Sequence, residues 1–472
     1  MTTANARSLQ DVIDSVPDLS HYFRNETVSP HVVNRGGISP VPLEFTNWRD
    51  EQRAWREAVL LLDLSHHMPE TFIKGPDAVR LLRGLGINSF EKFAPLRAKQ
   101  YLCCGHDGRV IGECLMEHHE DGTYELISGM YVQNWVQYNA QAGKYDVELI
   151  RDNPTAQNPA GRTNYRFQLE GPSAELVLAD AAESPVPDVP FFRLGRCKIA
   201  GCDVLVLRHG VAGHKGVELS GPAAQGPKVR DALLAAGGKY GLKRGGHKAL
   251  FSALGEVGWV GYPTPAIYTD PRLADYRKWL PADSWEAQTQ FGGSFQSRNI
   301  EDYYVTPWDL GLERLLKFDH DFIGREALEQ LAARDDHRKK VTLVWETQDV
   351  LKIFASLLEP GIPYKYPDLP KSSYGWQHND EVRSLSGDLV GVSVFTGYTV
   401  NESKFLSIAF VNPEYAIPGT EVLHVWGEPG SQSRQPNVEK HRQTTIRATV
   451  APVPYAKAVQ ALKNADLVKQ TA

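Results

Sequence analysis

The chain has 472 residues, 42% of them hydrophobic and 23% charged, an ordinary globular composition with enough apolar material for a sizeable core and two to three domains. Lys plus Arg number 51 against 57 Asp plus Glu, and the net charge of −6 is spread without a basic block, which argues against a nucleic-acid or anionic-membrane binder. The opening Met-Thr-Thr-Ala-Asn-Ala-Arg lacks the apolar core of a secretory signal and no apolar run approaches the ~18 residues of a membrane span, so a cytoplasmic location is expected.

Residues 8–24 carry Leu, Val and Ile at roughly helical spacing, and a loop rich in Pro and Gly is expected over 29–43. A second helix is expected over 48–62, where Trp55, Val59 and Leu62 fall at i, i+4 and i+7. The period then changes to two. Runs at 101–104, 110–116 and 124–127 are strand-like and are separated by His106-Asp107-Gly108 and Asp121-Gly122, the pattern of an antiparallel meander. A polar stretch over 151–164 reads as a loop before a strand at 165–169, a helix at 172–182, strands at 197–207 and 216–220, and a helix at 227–236. This irregular alternation is an α+β pattern. Beyond Lys340 strands dominate, at 341–345, 388–395, 405–411, 420–426 and 444–450, so that 338–472 is expected to form a small β-barrel behind an α+β region over 1–337. Five cysteines, an odd number without a C-x-x-C pair, suggest neither a disulfide framework nor a zinc site and read as reduced, mostly buried thiols.

Four segments, Asp63-Leu64-Ser65-His66-His67-Met68, Phe167-Gln168-Leu169-Glu170-Gly171-Pro172, Gly216-Val217-Glu218-Leu219 and Asp319-His320-Asp321-Phe322-Ile323-Gly324-Arg325, resemble in order and spacing those of the aminomethyltransferase (T-protein) family of the glycine cleavage system. Further stretches are similar to the tetrahydrofolate-dependent aromatic O-demethylases within that family. They are Glu44–Trp48, Ala98–Tyr101, Gly292–Phe295, Asn299–Val305 and Phe395–Tyr398. The resemblance implies a three-domain T-protein-like ring with a C-terminal β-barrel and with folate in its central opening. It also implies tetrahydrofolate as cofactor and a methoxylated aromatic acid such as syringate, vanillate or 3-O-methylgallate as substrate. The products would be 5-methyltetrahydrofolate and a hydroxy-aromatic acid, in the catabolism of lignin-derived aromatics.

The site residues follow from that resemblance. Glu218, otherwise a strand residue between Val217 and Leu219, is preferred as the pterin ligand, because an ionised carboxylate accepts from the ring N–H and 2-amino group together. Trp259 is either core or a stacking partner of the pterin or substrate ring. Gln168 either braces its turn or offers its amide to the cofactor. Glu113 stands where glycine-cleavage members carry a catalytic Asp, and either lines the folate site or pairs with a cation. His66 aligns with the family histidine and is preferred over His67; were the pair on a strand, the two would face opposite ways. No metal is expected.

Methyl transfer from an aryl ether needs alignment of the methyl carbon with a weak amine nucleophile and a donor near the ether oxygen. Vanillate-type members place a Tyr phenol in the stretch matching Gly246-His247-Lys248-Ala249-Leu250-Phe251, and here that position falls near Leu250. Either the donor comes from His247, Tyr268 or His66, or the methoxy group is positioned differently, with Leu250, Phe251 and His66 as substrate contacts. The room vacated at Leu250 favours a second methoxy group. A glycine-cleavage aminomethyltransferase, a sulfonium demethylase with an aromatic cage, and a folate-binding module without turnover are the alternatives.

Overall fold

In the computed structural model, which describes residues 7–24, 40–372, 374–431 and 433–462, the N-terminal segment is two short helices, Leu9–Ser15 and Leu19–Tyr22. Pro17, lacking an amide hydrogen, separates them, and Ser8 and Asp18 cap them. The loop expected over 29–43 falls outside the described residues as far as 39. The helix expected over 48–62 stops at Glu57, and Leu60–Asp63 is strand β1 instead. Leu60, Leu61 and Leu62 are all buried, which fits a strand covered on both faces rather than one stripe of a helix.

Strands β2 (Glu70–Lys74), β3 (Arg97–Cys104), β4 (Val110–His118), β5 (Tyr124–Ile127) and β6 (Glu148–Asp152) form a five-stranded sheet in the order β3-β4-β5-β2-β6. Strands β7 (Asn164–Glu170), β8 (Leu194–Ile199), β9 (Cys202–Arg208), β10 (Gly216–Pro222) and β11 (Lys243–Gly245) join β1 in a six-stranded sheet, β11-β1-β7-β10-β9-β8. The single strand expected at 197–207 is the β8–β9 hairpin, whose Ala200-Gly201 turn has positive φ at both positions, as tight two-residue hairpins require.

Helix Met130–Ala142 was not expected from the sequence, because Met130 to Val136 are buried without a break and show no amphipathic period. It starts at Gly129, where φ is +59° and an added Cβ would lie 2.2 Å from the Glu113 carbonyl oxygen. Only glycine fits there. Helix His247–Val257 was likewise unforeseen.

After the short β12 (Phe291–Gly292), strands β13 (Lys339–Trp345), β15 (Asp380–Arg383), β16 (Leu389–Thr399), β17 (Lys404–Val411), β18 (Glu421–Trp426) and β19 (Thr444–Ala451) close a barrel in the order β13-β17-β16-β15-β18-β19, while β14 (Gln377–His378) pairs with β12. The polar Asp-Glu-Val-Arg of β15 and helix Thr347–Ser356 are additions to the expected barrel. All five cysteines are buried and unpaired. Among the described residues no helix is long and apolar enough to cross a membrane.

Candidate active site

A cavity of about 1090 Å³ lies where the two sheets, helix His247–Val257 and the barrel meet. That exceeds the roughly 300–1,000 Å³ of an ordinary small-molecule site. Its wall includes Glu218, Glu113, Trp259, Leu250 and Phe251, five of the residues singled out by sequence.

Glu218 comes from β10, in the interior of the six-stranded sheet. Alternation along the strand turns Val217 and Leu219 into the apolar core beneath and Glu218 to the other face. The carboxylate is not alone: Arg166 of β7, fully buried, donates from Nη1 to Glu218 Oε1. The pterin edge expected to occupy both oxygens would therefore share one of them with a guanidinium. Arg166 also donates from Nε to Glu70 Oε1 at 2.9 Å and from Nη2 to Glu125 Oε1 at 2.6 Å, with Glu117 Oε1 at 3.4 Å from Nη1.

Trp259 and Glu113 meet, although they lie on opposite sides of the wall in sequence. Trp259 Nε1 donates to Glu113 Oε1, and Gln100 Nε2, from the neighbouring β3, donates to Oε2. Burial pushes the Glu113 carboxyl up to about 7, against the opposing pull of the Gln100 hydrogen bond and the Lys340 charge. A carboxyl raised this far by burial is suited to gaining and losing a proton near neutral pH. The Leu250 and Phe251 side supplies an apolar surface of aromatic rings: Phe251 stacks on His247 with ring centroids 5.4 Å apart, and His67 meets Phe251 edge-on at 6.1 Å.

Four expected residues lie away from the cavity wall. His66 lies in a turn after β1, not on a strand; its Nδ1 is 2.9 Å from Thr155 Oγ1 and its Nε2 is 3.7 Å from Asp63, so His67 rather than His66 reaches the cavity wall. Tyr268 is buried in the core, and its hydroxyl donates to the Glu286 carbonyl oxygen at 2.9 Å. His247 opens its helix behind Phe251 and is not part of the wall; it stacks on Phe251 and meets His67 edge-on with ring centroids 6.1 Å apart, and both of those rings line the cavity. Gln168 is fully buried, and its amide donates to the carbonyl oxygens of His209 and Val217, bracing the strand pair rather than facing the opening.

The C-terminal region contributes residues that carried no sequence signal. Trp376, Gln377, His378 and Asn379 also line the cavity; Trp376 Nε1 donates to Tyr131 Oη at 2.9 Å and Gln377 Nε2 to the Tyr262 carbonyl at 2.8 Å. Behind the wall, Glu117, His119 and Glu125 bring ligand-type atoms within 4.8 Å of one another. Arg166 and the His119 imidazole, 2.8 Å from Glu125, already supply positive charge there.

Residues 21–264 match the model of the GCVT N-terminal domain. The chain is 42% identical over 452 residues to syringate O-demethylase of Sphingobium sp. (strain NBRC 103272 / SYK-6), covering 96% of each chain. It is 30% identical to sesamin methylene transferase of Sinomonas sp. (strain No.22), covering 88% of this chain and 90% of that one. Among solved structures, the glycine cleavage system aminomethyltransferase T from Bartonella henselae superposes with a TM-score of 0.60 over 92% of this chain and 98% of its own, at 16% identity, a likeness of fold.

Proposed function

The chain belongs to the GCVT aminomethyltransferase family, and from that premise we propose that it is an aromatic O-demethylase, which moves the methyl group of a methoxylated aromatic acid, syringate foremost, onto tetrahydrofolate. The observation that carries the reading is the two-sided cavity: a buried carboxylate with a tryptophan and a titrating carboxyl at one part, and an aromatic, apolar surface at Leu250 and Phe251 at another. Its volume suits two ligands side by side. The 42% identity to a syringate O-demethylase over nearly the whole chain supports the substrate class.

The donor set fits a reduced pterin. Glu218 is an acceptor for adjacent N–H groups, and Trp259, pinned through its indole N–H to Glu113, offers a fixed ring face or edge. Bound there, tetrahydrofolate supplies a nucleophilic ring nitrogen as methyl acceptor. In the overall reaction the methyl C–O bond breaks and a C–N bond forms; the acceptor nitrogen gives up a proton and the phenol oxygen gains one. Glu113, with its carboxyl near 7, is the wall residue suited to holding that proton between the two. Leu250 and Phe251 exclude water and orient the substrate ring. The absence of a phenol at Leu250 leaves space for a second methoxy group.

Incubating the purified protein with tetrahydrofolate and, separately, syringate, vanillate, 3-O-methylgallate or guaiacol tests this directly. Appearance of 5-methyltetrahydrofolate with the matching phenol is expected, fastest with syringate. Turnover of none of them would refute the reading.

A further inference from the structure

We propose that Arg166 is a positioning residue for the methyl acceptor: a guanidinium held by three further acids fixes the Glu218 carboxylate at the cavity wall while leaving it a strong acceptor. The inference rests on the reading of Glu218 as the tetrahydrofolate ligand.

The geometry is specific. Arg166 does not line the cavity, and neither do Glu70, Glu117 or Glu125; within this cluster Glu218 alone does. Three guanidinium nitrogens engage four carboxylates drawn from four strands, Glu70 on β2, Glu117 on β4, Glu125 on β5 and Glu218 on β10. Because Arg166 sits on β7, the cluster bolts the six-stranded sheet to the five-stranded one at the point where the cavity opens. A planar guanidinium with every nitrogen engaged has one orientation, so the carboxylate bound to it has little freedom of its own.

Charge explains why three more acids are needed. A private Arg–Glu pair would spend the carboxylate's charge on its partner and weaken it toward a second donor. Here the three neighbouring acids set their own negative potential against that of the guanidinium, so the net positive potential at Glu218 is smaller than in a private pair and the carboxylate stays a strong acceptor toward a second donor. Further cations close the balance: Arg162 approaches Glu70 at 3.3 Å and Asp152 at 3.4 Å, and His119 approaches Glu125 at 2.8 Å. Burial pushes Glu70 and Glu117 above the usual carboxylate range, whereas Arg166 and His119 overcome the same burial at Glu125 and hold it below. Burial thus favours the neutral form at two of the acids behind the wall, which limits the net charge the arrangement has to bury.

The test is a comparison of ligands. Arg166→Lys keeps the charge but loses the fork, and the dissociation constant for tetrahydrofolate, measured by titration calorimetry, is expected to rise about tenfold or more. The KM for syringate should stay within about twofold, because the substrate end of the cavity does not touch the cluster. Glu125→Gln leaves Arg166 in place but loosens its hold, and about a threefold rise for tetrahydrofolate is expected; this variant decides the matter if Arg166→Lys does not fold. A merely structural Arg166 would lower the melting temperature while moving both ligands alike or neither, and that outcome overturns the proposal. Glu218→Gln, run in parallel, separates the two levels. If it too leaves folate affinity unchanged, the reading of Glu218 itself is wrong; if it weakens binding while Arg166→Lys and Glu125→Gln do not, only the positioning role falls.

Discussion

Replacing Glu113 by Gln isolates the cost of keeping a carboxyl inside this wall. The ordinary value of 4.5 and the folded value of about 7 differ because burial disfavours the charged form. Between those two pH values the unfolded chain has released a proton that the folded protein retains. The stabilising contribution of the group is therefore complete below about pH 4.5 and is lost as pH rises through about 7, a total of about 3 kcal/mol. Glu70, Glu117 and Glu170 are pushed up as well, so the wild-type protein should lose stability across the same window for several reasons at once. The difference between the wild-type and Glu113→Gln curves removes the shared part. Gln keeps an oxygen for the Trp259 indole but has no proton to lose. Urea denaturation followed by tryptophan fluorescence, repeated from pH 5 to pH 8, should show a flatter dependence in the variant, with the two curves diverging by about 2–3 kcal/mol at the alkaline end. In the same window wild-type turnover should change with an apparent value near 7 and the variant's residual turnover should not. Parallel stability curves would refute the assignment of a proton to Glu113 in the folded state.

Three further outcomes follow from the wall. Leu250→Tyr fills part of the cavity and should depress turnover of a dimethoxylated substrate more than that of a monomethoxylated one; equal slowing in steady-state assays would remove the steric role. Tyr268→Phe deletes a hydroxyl that serves a backbone carbonyl in the core, so it should cost about 1 kcal/mol of stability and leave kcat within about threefold; a loss of 100-fold or more would restore it as the proton donor. Exhaustive chelation should leave turnover unchanged, because transfer of a methyl group from an ether oxygen to an amine needs no Lewis acid. Activity lost to chelator and restored by one metal ion would make the Glu117, His119 and Glu125 group a functional centre.

The parts of the fold that were legible are short strands set off by turn residues. The meander at 97–127 and the barrel strands β13, β16, β17, β18 and β19 announced themselves as short apolar runs with turn residues between them. What escaped detection was a helix whose period is masked by burial and a strand that is polar almost throughout. Helix Met130–Ala142 hides its period because its first seven residues are all covered, and β15 reads as a charged turn although Asp380 and Val382 are buried in the barrel. The boundary near residue 58 was missed because Val59 and Leu62 happen to extend the helical spacing of Trp55 into a strand.

The site divides in the same way, and for a reason that concerns mechanism. Glu218 and Leu250 are readable one at a time, since each belongs to a motif or to a departure from one. Functional contact is a relation between distant residues, and a single sequence does not record it. Nothing near Glu113 indicates that its carboxyl is bonded by an indole 146 positions away, yet that contact joins the wall strand to the loop presenting Trp259. Nor does the sequence mark Trp376 to Asn379, which complete the wall from the C-terminal side through Tyr131 and Tyr262. The histidines and Tyr268 differ in the opposite direction: each is a residue type suited to proton transfer, but the fold gives each a partner away from the cavity wall or behind it, Tyr268 a carbonyl, His66 Thr155, and His247 the rings of Phe251 and His67. A donor for the ether oxygen therefore has to be sought among groups that both titrate and face the opening, and burial of Glu113 against Trp259 and Gln100 makes that carboxyl the first to examine.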